Sequence, residues 1–384
     1  MSLNSLLAAA AACAVAGSLA LGSAAPPVAA TSGAGLPGPY NAITDVPGIQ
    51  VGQVQSTRFP YLTGSTVIRT PDAPVAGVDV SGGAPGTWMT DILSPTRYNP
   101  GVDAVVLTGG SSWGMDVATG VMRWLEDHGV EGVPIVPGAG IYDLGNGGDE
   151  RARPTASWGY RAVAEATDGP VRQGTVGAGT GALAGRGDAE LKGGVGTASV
   201  RLDDGTVVGA LVVVNAAGSP VNPKNCSLLG AHLGIGGEFA GLRTPSRAEC
   251  KDRPGPDRGR STTIAIVATS ASMENGAATR MAEVATGGLA RAINPSNTYG
   301  DGDTVFAVAT GTGPKLGNNN FDDLAALNDI DAAAANALSR AVVHAMLSAT
   351  STPQFKSYCD TYPSACRHLG RSGTGKAHDI DTKG

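Results

Sequence analysis

Arg260-Ser261-Thr262-Thr263-Ile264-Ala265-Ile266-Val267-Ala268-Thr269 is the stretch on which the reading of the chain turns. A charged, proline-broken segment, Lys251 to Arg260 (KDRPGPDRGR), stops there, and a β-branched run suited to a buried strand begins at Thr262. A hydroxyl residue at the head of a core strand, directly after a pliable loop, has what an N-terminal nucleophile requires. The loop can bend so that Thr262 Oγ attacks the carbonyl of Ser261, and cleavage of the resulting ester frees the Thr262 α-amine. With a pKa near ~8, that amine can act as general base for its own hydroxyl. The same residues also read as a plain strand with threonines at its edge, so the rest of the chain has to decide between the two.

With 384 residues the chain has room for one large or two small domains. Its 57 glycines fall mostly at turn-like punctuation between apolar runs and follow no repeat, which fits a loop-rich α/β chain and excludes a collagen or linker array. A formal net charge of -6 without a basic stripe argues against a nucleic-acid partner, because phosphate binding needs clustered Lys and Arg. Residues 3 to 24 form an apolar run ending in small residues, and Val28-Ala29-Ala30 fits a small-x-small cleavage site. Residues 1–30 therefore read as a secretory signal peptide and the protein as secreted or cell-envelope, although the run has no Lys or Arg ahead of it; a buried N-terminal helix is the other reading. Gly17 and Gly22 interrupt the run and argue against a membrane span.

Of the five cysteines, Cys13 lies in that segment, leaving Cys226, Cys250, Cys359 and Cys366. An even number in an exported chain suggests two disulfides, and their order suggests Cys226 to Cys250 and Cys359 to Cys366, one of three possible pairings. No Cys/His spacing looks like a zinc site. None of the five histidines stands beside a Gly-x-Ser-x-Gly elbow.

Periodicity places the elements. Ile43 to Val51 reads as strand, turn and strand about Pro47-Gly48, Val75 to Val80 as a strand, and Ser81 to Thr87 as a glycine-rich loop. Val102 to Leu107 is a buried strand, and Met115 to His128 a helix capped by Gly129. Thr108 to Gly114 between them could hold phosphate, but it lacks a Walker lysine and a dinucleotide fingerprint, which favours a plain turn. Val133 to Leu144 is a strand entering a loop that carries Tyr142 and Asp143, and Ser157 to Ala166 is a helix. Gly193 to Leu202 and Val207 to Val214 form a hairpin about Asp203-Asp204-Gly205, with Asn215 where the second strand stops. Asn275 to Ile293 is helical, Asp301-Gly302-Asp303 a turn, Thr304 to Thr310 a strand and Ile330 to Ala349 a long helix. Apolar strands bounded by helices fit a layered α/β sandwich of unspecified strand order.

Several stretches, in collinear order, resemble the self-processing L-aminopeptidase/D-esterase (DmpA-type) family, which includes β-peptidyl aminopeptidases and the nylon-oligomer hydrolase. They are Asp45-Val46-Pro47-Gly48, Gly82 to Asp91 (GGAPGTWMTD), Val102 to Glu126, Gly177 to Gly181, Lys192 to Ser199 (KGGVGTAS), Gly209 to Ala216 (GALVVVNA), Thr262 to Thr269 and Asp301 to Thr310 (DGDTVFAVAT). The resemblance implies an αββα sandwich of N-terminal-nucleophile type. It also implies a cut between Ser261 and Thr262 that yields a long α chain, 31–261, and a short β chain, 262–384, both kept in one fold; residues 370–384 are polar and read as a disordered tail.

By matched position, Asp301 and Asp303 look like the acidic pair that contacts the nucleophile and its amine, and Asn215 like the oxyanion residue. Lys192 looks like the lysine near the site, and Tyr142 like the tyrosine lining the substrate pocket. No metal or organic cofactor is implied. Substrates would be short peptides, D-amino acid amides or esters, β-peptides or ω-amino acid oligomers, and the assembly a tetramer of αβ units. Thr262 together with Asp301-Gly302-Asp303 leans toward the nylon-oligomer hydrolase. Ser261 departs from the Asn or Gly usual before the cut, and Trp88-Met89 from the Arg-Glu that relatives often carry. An ornithine acetyltransferase-like transferase is the nearest rival reading, and a secreted binding protein that keeps the fold without processing is the rival from another class.

Overall fold

The computed structural model describes residues 35–99, 101–185, 190–250, 261–317 and 321–369. The signal-peptide reading, the tail at 370–384 and the segment 251–260 lie outside the described residues. In chain order the elements are β1 (Gln50–Ser56), β2 (Thr63–Arg69), β3 (Val75–Val80), β4 (Thr87–Trp88), β5 (Ala104–Thr108), α1 (Asp116–Asp127), β6 (Gly138–Gly140), α2 (Ala156–Ala164), β7 (Leu183–Ala184) and β8 (Leu191–Lys192). They continue with β9 (Gly194–Arg201), β10 (Val207–Val214), β11 (Ile264–Thr269), α3 (Asn275–Ala292), β12 (Thr304–Ala309), α4 (Leu324–Ser348), α5 (Tyr358–Thr361) and α6 (Pro363–Cys366).

The three most apolar runs, β10, β11 and β12, are buried along their whole length. Successive side chains on a strand point to opposite faces, so Ile264, Ile266 and Ala268 enter one core while Ala265 and Val267 enter another. Because both faces are covered, the run needs no polar alternation, and this is why it reads as continuously apolar.

These strands sit in a five-stranded sheet of order β3-β12-β11-β10-β9, and a second sheet has the order β1-β2-β5-β6-β4. Ile68, Val105 and Leu107 of the second sheet meet Leu211, Val213, Ile266 and Phe306 of the first. On the outer side of the first sheet, Met281 and Leu289 of α3 and Leu338 and Val342 of α4 pack with Val208, Val212 and Val267. Across the second sheet, Val117, Val121 and Leu125 of α1 and Trp158 of α2 cover Val67 and Val106. The result is the four-layered αββα sandwich that the resemblance implies. The Ala-rich face of α4 can lie directly on β9, where a Cβ on Gly196 would fall 2.0 Å from Ala341 O.

Two pairs are parallel, β11 with β12 and β5 with β6, each joined across a helix as a parallel pair requires. The remaining pairs of both sheets are antiparallel, including the β9–β10 hairpin, whose turn places Gly205 at φ +89. Gly129 caps α1 at φ +90.

Four expectations change. Ile43–Asp45 is a 3-10 turn, not a strand, because the Asp45 carboxylate accepts the N–H groups of Tyr40 and Ala42 and folds the segment back. Of Val133 to Leu144 only Gly138–Gly140 pairs as a strand. The long helix starts at Leu324, ahead of Ile330. Strand β2 and most of β1 were not expected, since Gln53, Gln55, Ser65 and Thr66 are polar yet buried. Gln55 and Thr66 accept the backbone N–H groups of Gly177 and Ala178, which satisfies them inside the fold.

Both disulfides pair as the order of the cysteines suggests, Cys226 with Cys250 (Cα atoms 5.7 Å apart) and Cys359 with Cys366 (5.5 Å). The first closes a 24-residue separation. In Cys250→Ser its loss should destabilise the protein by roughly 3 kcal/mol, read as a lower urea midpoint under non-reducing conditions.

Near the start of the described chain, Arg340 of α4 forms a buried ion pair with Glu238, Nε to Oε1 2.5 Å, while Arg340 also donates to Asn41 and His344 reaches Glu238 Oε2 at 2.7 Å. Burial pushes the Glu238 carboxyl up, but hydrogen bonds from His344 and Arg340 and the charge of Arg340 outweigh it and hold it well below the usual range. Among the described residues no helix is long and apolar enough to cross a membrane.

Candidate active site

Sheet register builds the site. Continuing the antiparallel register of β10 and β11 past Val213↔Ile264 sets Asn215 opposite Thr262. Continuing the parallel register of β11 and β12 back from Ile264↔Thr304 sets Asp303 beside Thr263, Gly302 beside Thr262 and Asp301 beside Ser261. Residues far apart in sequence thus surround one buried peptide bond, with Ser261 1% and Thr262 4% exposed.

At that bond Thr262 Oγ1 donates to Ser261 O at 2.5 Å, so the hydroxyl rests against the carbonyl group it would attack. Thr262 N–H donates to Asn215 O at 2.7 Å. Gly302 N–H lies 3.1 Å from Ser261 O and 3.2 Å from Thr262 Oγ1. A Cβ at Gly302 would stand 2.9 Å from Thr262 Oγ1 and 2.7 Å from Ala84 O, so the position admits no side chain without displacing one of them. Ser261 replaces the usual Asn or Gly without a visible clash: its hydroxyl is buried and has no hydrogen-bond partner among the described residues.

Asp301 and Asp303 flank the bond, and the hydrogen bonds of their carboxylates go to residues other than Thr262. Asp303 accepts Thr263 N–H (2.6 Å) and Asn297 N–H (2.8 Å). Asp301 accepts Ala217 N–H (3.2 Å) and the Thr298 hydroxyl (2.7 Å). In the uncut chain the parallel register sets Asp301 beside Ser261 and Asp303 beside Thr263. The glycine-rich loop after β3 locks the same turn: Gly82 N–H donates to Asp303 O and Ala84 N–H to Asp301 O. The other glycine-rich loop, after β5, likewise serves packing, with Gly110 N–H on the Asp143 carboxylate at 2.7 Å.

Burial, and next the charge of Asp301, push the Asp303 carboxyl up to about 7, against the backbone N–H groups that favour its ionised form. A carboxyl whose pKa is raised on folding favours the native state at low pH and loses that contribution as pH climbs from about 4 through about 7. In an uncut Thr262→Ala background, Asp303→Asn should therefore gain stability relative to its parent across that window, read as a melting-temperature difference that grows with pH.

Asn215 is fully buried; its Oδ1 accepts Leu183 N–H at 3.0 Å and its Nδ2 donates to Tyr142 O at 3.2 Å. Tyr142, half-buried, thus joins the site through its carbonyl. Lys192 is buried, contrary to the exposure usual for lysine, and sits opposite Leu183 in the two-stranded β7–β8 ribbon. Its Nζ donates to Ala182 O (2.6 Å) and Gly179 O (3.1 Å), so it reaches Thr262 only through Leu183 and Asn215. Burial lowers the Lys192 ammonium to about 7, against the pull of Asp143. Burial likewise raises the Asp143 carboxyl, which also accepts from Thr63 Oγ1 at 2.6 Å.

The structure therefore gathers Thr262, Asn215, Asp301 and Asp303 about the Ser261–Thr262 bond and sets Tyr142 and Lys192 one bond further out. Two members were not singled out from sequence. Gly302 was read only as part of a turn, and Asp143 only as a loop residue whose partners are remote in sequence. Trp88 belongs to β4 and pairs with Gly138, and Met89 follows at φ +53.

The four-layered sandwich has the fold of the N-terminal-nucleophile hydrolases. The chain belongs to peptidase family S58, whose model matches residues 41–359. It is 43% identical over 356 residues to an uncharacterized aminopeptidase of Mycobacterium leprae, covering 85% of this chain and 96% of that protein. It is 30% identical over 281 residues to a 6-aminohexanoate-oligomer endohydrolase of Kocuria sp., covering 69% of this chain and 74% of that one. Among solved structures, an L-aminopeptidase D-Ala-esterase/amidase of Ochrobactrum anthropi, described as a variant of the Ntn hydrolase fold, superposes with a TM-score of 0.62 at 24% identity, over 88% of this chain and 96% of that one. The chain is a peptidase or amidase of this family, as the resemblance in its sequence implied.

Proposed function

We propose that this protein is an autoprocessed amide hydrolase whose nucleophile is Thr262. One observation carries the reading: the Thr262 hydroxyl rests 2.5 Å from the oxygen of the peptide group immediately before it, at the head of a buried strand. In self-cleavage Oγ1 adds to the Ser261 carbonyl carbon, the C–N bond to Thr262 breaks, and the hydroxyl proton passes to the departing nitrogen. Water then hydrolyses the ester, leaving a Ser261 carboxylate and a free Thr262 amine, for which Asn215 O already provides an acceptor.

In turnover the amine takes the Oγ1 proton, and Oγ1 adds to the substrate amide carbonyl. The Asn215 amide stabilises the oxyanion, the leaving amine takes the proton, and water clears the acyl group. Asp301 and Asp303 supply negative charge beside the ammonium, and Asp303 also fixes the backbone N–H of Thr263 next to it. Lys192 is a positioning residue that ties down the ribbon whose Leu183 N–H orients Asn215. Tyr142 lines the substrate pocket.

The substrates are short peptides or amides bearing a free amine, including β-peptides, D-amino acid amides and ω-amino acid oligomers; the names of the curated relatives, an aminopeptidase and a 6-aminohexanoate-oligomer endohydrolase, support that class. The two disulfides support export under the signal peptide, since such bonds persist in oxidising compartments. The functional assembly is a tetramer of cut units, checked by light scattering. N-terminal sequencing of the mature protein is the deciding experiment: a chain beginning at Thr262 is the expected result, and a single uncut polypeptide that still hydrolyses amides would overturn the reading.

A further inference from the structure

Self-cleavage and substrate turnover each develop a negative charge on a carbonyl oxygen, and the two events need not share a donor. The amide of Asn215 is turned away from the Ser261 carbonyl. Its Oδ1 faces Leu183 N–H, its Nδ2 faces Tyr142 O, and the group it presents to the scissile peptide is its own backbone carbonyl, an acceptor on Thr262 N–H. Among the described residues the Ser261 oxygen receives hydrogen bonds from two donors, the Thr262 hydroxyl at 2.5 Å and Gly302 N–H at 3.1 Å. The hydroxyl gives up its proton as it adds to the carbon, so only the Gly302 amide persists through the addition.

We infer that the backbone N–H of Gly302 is the oxyanion donor of self-cleavage, a catalytic group distinct from the Asn215 amide that serves turnover. The inference rests on the reading of Thr262 as nucleophile. As Oγ1 adds to the Ser261 carbon, the carbonyl π pair moves to oxygen and the charge falls against Gly302 N–H. When the C–N bond breaks, the pair returns to restore the carbonyl of the ester, and the nitrogen leaves with the hydroxyl proton.

The surroundings fit this task. Carboxylates on both flanking residues would repel an oxyanion, so an acidic pair alone would oppose the step, and a neutral donor between them offsets that. The donor is held rigidly: Ala84 N–H on Asp301 O fixes the peptide group that carries the Gly302 N–H, and Gly82 N–H on Asp303 O holds the chain just beyond it. A fixed donor needs no reorganisation when charge appears, which is what makes such a group effective in a buried site. The absence of a side chain at Gly302 follows from the same geometry, because any Cβ would press on both Thr262 Oγ1 and Ala84 O.

Replacing the Gly302 amide by an ester, through glycolic acid incorporated during cell-free translation, deletes the N–H with almost no change of volume. The expected result is a full-length chain that folds, with unfolding close to that of uncut Thr262→Ala, and cleaves at 261–262 roughly 100-fold more slowly than wild type or worse. Cleavage at the wild-type rate would overturn the inference while leaving Thr262 as nucleophile; a wild-type chain that is never cut there would instead remove the reading beneath it. A crystal structure of the Thr262→Ala precursor gives a second test independent of any change at 302. Gly302 N within hydrogen-bond reach of Ser261 O upholds the inference, and a separation beyond 4 Å, with another donor in its place, refutes it.

Discussion

Thr262→Ala should yield one uncut chain with no amide hydrolysis above the uncatalysed background. The variant loses only a hydroxyl and a methyl from a site where Thr262 is 4% exposed, and the backbone bonds to Asn215 O and Ser261 stay in place, so it should fold. Without Oγ1 the Ser261 carbonyl has no nucleophile, and without the cut no free amine exists to activate one. The two losses must therefore appear together in one denaturing gel and one activity assay. Retained cleavage at this bond would place the nucleophile elsewhere. Thr262→Ser, which keeps the hydroxyl, should be cut and active, and this separates the chemistry from any effect of packing.

The second large effect is at Asn215. Asn215→Ala should still be cut, because the acceptor for Thr262 N–H is the backbone carbonyl of residue 215, which the substitution leaves intact. Turnover should fall by about 100-fold or more, the usual result of deleting a side-chain oxyanion donor. The buried Leu183 N–H would lose its partner, so the melting temperature should also drop, at about 1–3 kcal/mol for that unsatisfied group. Turnover at the wild-type rate in a cut, folded variant would remove Asn215 from the oxyanion role.

Much of the fold was legible in the chain. The β10, β11 and β12 runs announce burial on both faces, and the Val117, Val121 and Leu125 spacing announces the helix that covers the second sheet. Strands β1 and β2 escaped because their inward positions carry Gln, Ser and Thr, whose partners, Gly177 and Ala178 for Gln55 and Thr66, Arg172 for Gln53 and Thr108 for Ser65, are remote in sequence. The site was legible in a different way. The hydroxyl after the charged loop could be argued from local chemistry, whereas the roles of Asn215, Lys192 and the two aspartates came from resemblance. Register was invisible, and register is what puts Gly302 beside Thr262 and sets Asp301 and Asp303 beside its neighbours. Lys192 illustrates the same limit: nothing within a few residues of it foretells burial, because the carbonyls that receive its ammonium belong to another strand and loop.

The strand order β3-β12-β11-β10-β9 has one more consequence. The pair that follows Thr262 is wedged between strands that precede it, and each disulfide lies wholly on one side of the cut. The cut proposed at 261–262 would leave two pieces held by ladders, core and the Arg340–Glu238 clasp, with no disulfide joining them among the described residues. Under that proposal the uncut precursor recovers from denaturation by itself, whereas the cut molecule must first find its other half, so its refolding becomes a meeting of two bodies that slows on dilution. Cleavage of this kind would remove the chain's capacity to assemble alone, and the cut enzyme would then persist through the slowness of its unfolding.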